Sequence, residues 1–230
     1  MPVSVIIPCL NRVELTRDCL DAIRAHGDTP EIVLVDNGST DGTSDLDADV
    51  LVRFDTNRGF AAACNAGAAV ASGDVFVFLN NDTLPHPQWL TRLAGWAQEG
   101  HIVGPLLEYP DGTIQSAGVQ LGMSDGVLTA WNVTEKASGG WVPALTGACL
   151  AMKADVFHGL DGFDPAYWNG YEDVDLCLRA RHAGIRCRFE PASVVTHLES
   201  QSGPERWSGV RENIRLLHER WADRWQHLTC

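Results

Sequence analysis

The chain has no C-x-x-C pair, no G-x-G-x-x-G, no internal repeat and no basic leader segment. Each absence removes a class of protein. Seven scattered cysteines, an odd number, fit neither a disulfide framework nor a zinc site. They read as reduced, mostly structural thiols in a cytoplasmic protein. Without the glycine fingerprint after the first strand, a nicotinamide or flavin site loses its main sequence support. The N-terminus Met1-Pro2-Val3-Ser4-Val5-Ile6-Ile7-Pro8 is too short for a signal peptide or a membrane span. Positive charge is scarce too. Lys and Arg number 17 against 30 Asp and Glu, and the net charge of −13 argues against nucleic acid or anionic lipid as broad partners. No low-complexity tract or long Pro/Gly/Ser linker divides the 230 residues, 45% of them hydrophobic, so one domain over 1–230 is expected.

What is present alternates between two periodicities. Strands are predicted at Val3–Ile7, Glu31–Val35, Val50–Phe54 and Val75–Leu79. Helical spacing runs from Asn11 to about Ala25, over roughly Gly59–Ala71, and over Trp89–Ala97 just after Pro87. Strand, helix, strand in succession predicts βαβ units, hence an α/β fold with a mostly parallel central sheet flanked by helices. Beyond residue 100, short apolar runs broken by Gly and Pro suggest a smaller mixed section. A helix near Asp173–Ala183, short strands at Cys187–Phe189 and Ser193–Thr196 and a final helix near Arg206–Trp225 follow. A nucleotide-binding half over about 1–100 and an acceptor-binding half over about 101–230 result.

Polar residues cluster at the carboxyl ends of the strands, where open α/β sheets bind ligands. Asn80-Asn81-Asp82 closes the run Val75–Leu79, and Asp82 is a hard oxygen ligand suited to Mg²⁺ or Mn²⁺. Alone, the tripeptide reads better as a polar turn before Pro85 and Pro87, and the other segments of the chain are what favour a ligand site. Pro8 is read as ending the first strand, and Asn11 as a base contact or a helix cap. Asp36, closing the second strand, can accept from a base N–H or a ribose hydroxyl. Arg58 opens the second helical segment, where it pairs with phosphate, stacks on a base, or is only a surface charge. In Trp168-Asn-Gly-Tyr-Glu172-Asp173-Val-Asp175, acids crowd a helix start that ends at Gly184, a C′ residue. Asp175 has a partner four residues on in Arg179, which leaves Glu172 and Asp173 as candidate general bases. His197, near Glu199, is structural or completes a metal site.

These segments, in this order, resemble the glycosyltransferase family 2 enzymes of GT-A fold, in their bacterial rhamnosyltransferase-like branch. The matching pieces are Val5-Ile-Ile-Pro8 with Asn11, Val35-Asp36-Asn-Gly-Ser-Thr-Asp-Gly42, and Asn57-Arg-Gly-Phe60 with Asn65. Phe78-Leu-Asn-Asn-Asp-Thr83, Thr146-Gly-Ala-Cys149, Gly162-Phe-Asp164, Glu172-Asp-Val-Asp-Leu-Cys-Leu-Arg179 and His197 continue them. The resemblance implies a single Rossmann-like GT-A domain that transfers a sugar with inversion. The donor would be a nucleotide-diphosphate sugar, dTDP-rhamnose or a UDP-sugar. The acceptor would be a glycan, lipid-linked or small-molecule hydroxyl in polysaccharide, glycolipid or natural-product synthesis. It implies that Pro8, Asn11 and Asp36 contact the nucleoside, with Arg58, Asn65 and Asn81 also on the sugar nucleotide. Asp82 and His197 would serve a divalent metal, Asp173 would be the base, and Glu172 would hold the acceptor or a loop. The family's D-x-D motif reads Asn80-Asn81-Asp82 here, so its first carboxylate is replaced by an amide that ligates without charge.

Three other classes remain in view: a nucleotidyltransferase, a non-catalytic sugar-nucleotide binder and an interaction module. The first wants a basic, Gly-rich phosphate loop near the first strand, and Pro8-Cys-Leu-Asn-Arg12 is not one. The second would have lost Asp82 or Asp173. The third leaves the strand-end polar residues unexplained. In the tail, Arg206–Leu228, Trp207, Trp221 and Trp225 alternate with arginines. Such a helix docks a second copy or lies at the inner membrane face, or, as favoured, packs its tryptophans onto the domain.

Overall fold

The uninterrupted apolar runs become inner strands, because a run buried on both faces needs cover on both. A computed structural model describes residues 2–27, 29–135, 138–198 and 209–227. In it β1 (Val3–Cys9), β2 (Glu31–Asp36), β3 (Val50–Arg53) and β4 (Val75–Leu79) pair in parallel, in the order β4-β1-β2-β3. All five residues of β4 are buried. One face of the sheet packs on α1 (Val13–Ala25) and α3 (Trp89–Gln98), through Cys19, Leu20, Ile23 and Trp89 against Ile7, Leu34 and Val77. The other face packs on α2 (Phe60–Ala68) and an aromatic cluster in which Phe78 lies 4.7 Å from Phe157 and 5.0 Å from Phe163, ring centre to ring centre.

Small residues let α2 approach closely. A Cβ placed on Gly67 would sit 2.5 Å from Ile6 Cγ2 and 2.9 Å from Val35 Cγ2. Replacing Gly by Ala in a helix is worth about 1 kcal/mol by propensity. Overpacking costs about 1–3 kcal/mol, and Ile6 and Val35 stand on central strands that cannot move aside. Overpacking therefore wins, and Gly67→Ala lowers the urea midpoint without changing the slope of the transition.

The second half completes a ten-stranded sheet. β11 (Cys149–Lys153) lies antiparallel to β4 and to β6 (Ile102–Glu108), and β12 (Cys187–His197) runs parallel to β6. β10 (Gly140–Val142) forms the far edge, while β5 (Thr83–Pro85) and β7 (Ile114–Ser116) pair with β12 and β6. β8 (Val119–Ser124) and β9 (Val127–Asn132) make a separate hairpin. Helices α4 (Ala154–Gly159), α5 (Glu172–His182) and α6 (Val210–Trp221) follow. The six cysteines among the described residues are all buried and none is bridged; burial pushes the Cys19 thiol up to about 12.

Several sequence expectations shift. The two strands expected at Cys187–Phe189 and Ser193–Thr196 are one, β12, with an irregularity between Glu190 and Val194. Pro8 does not end its strand, since β1 pairs with β2 through Cys9↔Asp36. Pairing with β4 stops at Ile6↔Phe78, so the absent Pro8 N–H falls where no neighbouring strand needs a donor. Asn11 does not cap α1: it and Arg12 have φ of 55° and 60°. The Val13 N–H is instead capped from across the chain by Asp41 Oδ2, at 2.9 Å. The final helix is shorter than expected. Arg206, Trp207 and Leu228 lie outside the described residues, as does Glu199. Trp221 is buried and Trp225 packs against the core, which is the packing reading of that segment. Among the described residues no helix is long and apolar enough to cross a membrane.

Candidate active site

A cleft of about 360 Å³ opens at the carboxyl ends of β1 and β4 and reaches the start of α5. This is where a parallel sheet places ligands. Pro8, Asn11, Asn81, Asp82, Glu172, Asp173 and His197, seven of the residues singled out from sequence, line it.

The short strand β5 makes the first functional pair. Its register sets His197 opposite Thr83, so the ring stands beside Asp82. His197 Nε2 lies 3.2 Å from Asp82 Oδ1, and the two residues are 5% and 7% exposed. Gln115, on β7, orients the ring. Its amide nitrogen donates to the His197 carbonyl at 3.4 Å, which turns its Oε1 to Nδ1 at 2.6 Å. Nδ1 then donates to Gln115 Oε1, and Nε2 faces the Asp82 carboxylate. A ring nitrogen and a carboxylate oxygen at this distance form an ion pair when the ring is protonated, and a pair of ligands when it is neutral. A divalent metal suits the donors, with Asn80 adding an amide whose nitrogen lies 3.4 Å from Nε2. Among the described residues no third His, Cys, Asp or Glu joins them. Asp82 and His197 are thus the residues that would hold the ion, with a diphosphate and water completing its shell.

The second feature is the start of α5. Asp173 Oδ2 accepts the Gly147 N–H at 2.6 Å and Oδ1 accepts the Val174 N–H at 2.8 Å. Backbone donors on both oxygens fix the carboxylate while the half-buried side chain lines the cleft. Glu172 is more deeply set, 4% exposed, and accepts the Gly170 N–H at 2.6 Å. Asp175 turns away: its carboxylate receives Arg179 Nε at 2.7 Å, Tyr167 OH at 3.2 Å and Trp221 Nε1 at 2.9 Å.

The third feature is the end of β2. Asp36 is fully buried; its Oδ1 accepts the Ser39 N–H at 2.7 Å, while Oδ2 has no hydrogen-bond partner. Arg53 Nε, 3.6 Å from that oxygen, supplies charge without a hydrogen bond. Asp36 is not among the residues that line the cleft, and its idle oxygen lies beneath the surface. Asn11 Oδ1 accepts the Thr40 N–H at 2.9 Å and ties this loop to the cleft wall, and Asn81 donates to Thr16 Oγ1 at 2.8 Å.

Three expected residues do not line the cleft: Asp36, which is buried, Asn65 and Arg58. Asn65 spends both ends of its amide on Phe163, donating to the carbonyl at 2.7 Å and accepting the N–H at 2.9 Å. Arg58 is exposed, with its guanidinium 4.6 Å over the Phe54 ring. Asn37 organises the loop instead. It donates to Asn57 Oδ1 at 3.0 Å and accepts the Arg58 N–H at 2.9 Å. Gln115 carried no sequence signal at all.

Sheet order, strand-end cleft and carboxylate placement define a GT-A fold. GalNAc-T7, solved with UDP, GalNAc and Mn²⁺, superposes with a TM-score of 0.75 at 22% identity, over 98% of this chain and 50% of that one. That likeness concerns the fold. The glycosyl transferase family 2 model matches residues 4–158, and the chain belongs to that family. It is 32% identical over 224 residues to the O-antigen biosynthesis protein RfbC of Myxococcus xanthus, spanning 87% of this chain and 17% of that protein. It is 28% identical over 213 residues to the N-acetylglucosaminyl-diphospho-decaprenol L-rhamnosyltransferase of Mycobacterium tuberculosis, spanning 74% of this chain and 67% of that one. Across three of the curated relatives it matches, the chain spans between 17% and 42% of their length.

Proposed function

We propose that this chain is the catalytic unit of an inverting glycosyltransferase that moves a sugar from a nucleoside diphosphate to an acceptor hydroxyl. The observation that carries the reading is one cleft holding both an Asp82–His197 pair able to ligate a cation and a carboxylate, Asp173, fixed by two backbone N–H groups. Asp36, whose idle oxygen is buried at the end of β2, would contact the nucleoside once binding uncovers it. Asp173 takes the proton as the acceptor oxygen bonds to the anomeric carbon, and the bond from that carbon to the diphosphate breaks on the opposite face. The metal, when bound, supplies charge to offset that of the departing diphosphate. The names of the relatives, for rhamnosyl transfer and O-antigen biosynthesis, favour dTDP-rhamnose or a UDP-sugar as donor and a glycan or lipid-linked hydroxyl as acceptor. A panel of UDP-, GDP- and dTDP-sugars, scored for thermal stabilisation and for nucleoside diphosphate release with Mn²⁺ or EDTA, tests the reading. One donor should stand out, and in metal only. A chain that responds to none of the panel is not this enzyme.

A further inference from the structure

The loop before the catalytic helix is held from both sides, and one hold comes from the far end of the chain. Asn213, on α6 and 2% exposed, makes three hydrogen bonds to a single loop. Its Oδ1 accepts the Trp168 N–H at 3.1 Å, and its Nδ2 donates to the carbonyls of Trp168 at 2.8 Å and Gly170 at 2.9 Å. An amide is the only short side chain that presents a donor and an acceptor together to match a peptide in this way. On the other side of the loop, Asn169 Oδ1 accepts the Phe60 N–H at 2.9 Å, and the Trp168 ring lies where a Cβ on Gly59 would come within 3.1 Å. Gly170 then donates to Glu172, the residue before Asp173. The chain of contacts therefore runs from α6 through residues 168–170 to Glu172, next to Asp173 in the first turn of α5.

The rest of α6 is anchored independently of that loop. Trp221 Nε1 reaches Asp175 at 2.9 Å, His218 Nδ1 accepts the Leu128 N–H of β9 at 3.1 Å, and Arg220 pairs with Asp164 at 2.6 Å. With those bonds fixing the helix, the stability of α6 does not require Asn213 to be polar. A buried Leu at 213 would keep the packing of α6 but leave the Trp168 N–H and the Trp168 and Gly170 carbonyls without these partners. We infer that Asn213 is a positioning residue: it sets the 168–170 loop, and through it the orientation of Glu172 and Asp173, from a helix that lies outside the matched family region of residues 4–158. The inference rests on Asp173 being the base, and it makes the C-terminal helix part of the catalytic apparatus.

Hydrogen exchange over residues 168–174 is measured in the wild type, Asn213→Ala, Asn213→Asp and Arg215→Ala. Turnover of the donor chosen by the panel, with water as acceptor, and UDP affinity in Mn²⁺ are measured beside it. Asn213→Asp keeps the acceptor for Trp168 N–H but turns a carboxylate oxygen toward two carbonyls, so it should disturb the loop at least as much as Ala. Both Asn213 variants should exchange faster there and lose turnover by about 10–100-fold, the cost of a misplaced reacting group, with UDP affinity retained. Among the described residues Arg215 bonds only Glu212 and Glu219, on the exposed face of α6, and Arg215→Ala should match the wild type in every arm. Unchanged exchange, or unchanged turnover, in the Asn213 variants overturns the inference. So does a joint fall of turnover and UDP affinity, which is what a purely structural residue would give. If the wild type itself turns over no donor, the proposed function fails, and the exchange arm still decides whether Asn213 holds the loop.

Discussion

Asp173→Asn should bind nucleotide normally and transfer sugar about 10²–10⁴-fold more slowly. The substitution is nearly isosteric, and Asn still presents an oxygen to the Gly147 or Val174 N–H, so the loop and the fold should persist. What disappears is the lone pair basic enough to take the acceptor proton. That loss corresponds to about 3–5 kcal/mol of barrier, far beyond what one surface hydrogen bond is worth. Glu172 is the natural control. It is almost fully buried and bound to the Gly170 N–H, so Glu172→Gln should act on the loop and cost less. Near-normal turnover in Asp173→Asn beside lost turnover in Glu172→Gln would move the base by one residue.

Asp82→Ala should abolish the gain in nucleoside diphosphate affinity that Mg²⁺ or Mn²⁺ brings, and change little in EDTA. Losing an outer-shell partner of a metal ligand costs about 10–100-fold in metal affinity. Losing one of two protein ligands should cost more, because no other acidic or imidazole group among the described residues stands ready to replace it. His197 would be left with its Nε2 facing an empty corner. Calorimetry of UDP with Mn²⁺ and with EDTA reads the difference, and equal metal-dependent affinity in mutant and wild type would remove Asp82 from the site.

The first half of the fold was legible because its signals are local. A five-residue apolar run such as Val75–Leu79 has few alternatives to an inner strand, and the polar residue that ends it lands at the ligand edge. The second half depends on pairings between distant segments. Glu190-Pro191-Ala192 reads as a break, yet β12 continues past it because β6 supplies partners on both sides of the irregularity. Three-residue strands such as β5 leave no periodicity to count, although β5 is what sets His197 beside Asp82. Asn65 was misplaced for a related reason. Its helix was recognisable, but which way an amide on that helix turns is decided by Phe163, 98 residues away. Asn213 and Gln115 were invisible because a lone amide has no pattern until its partners are packed around it.

The lengths of the outermost strands carry a consequence for the life of the protein before any substrate arrives. β3 has four residues and β10 three, while the strands between them reach eleven. An edge exposes backbone donors and acceptors on which another chain can crystallise a ladder of its own. At β3 the long side chain of Arg53 reaches back to Ser44 and Ser39, and at β10 the Arg186 guanidinium lies 3.6 Å over the Trp141 ring. A foreign strand would find only a few residues to grip at either rim, with a cation stationed at each. Aggregation in a crowded cell is therefore a hazard of the half-folded chain, before the rims have formed, rather than of the finished sheet.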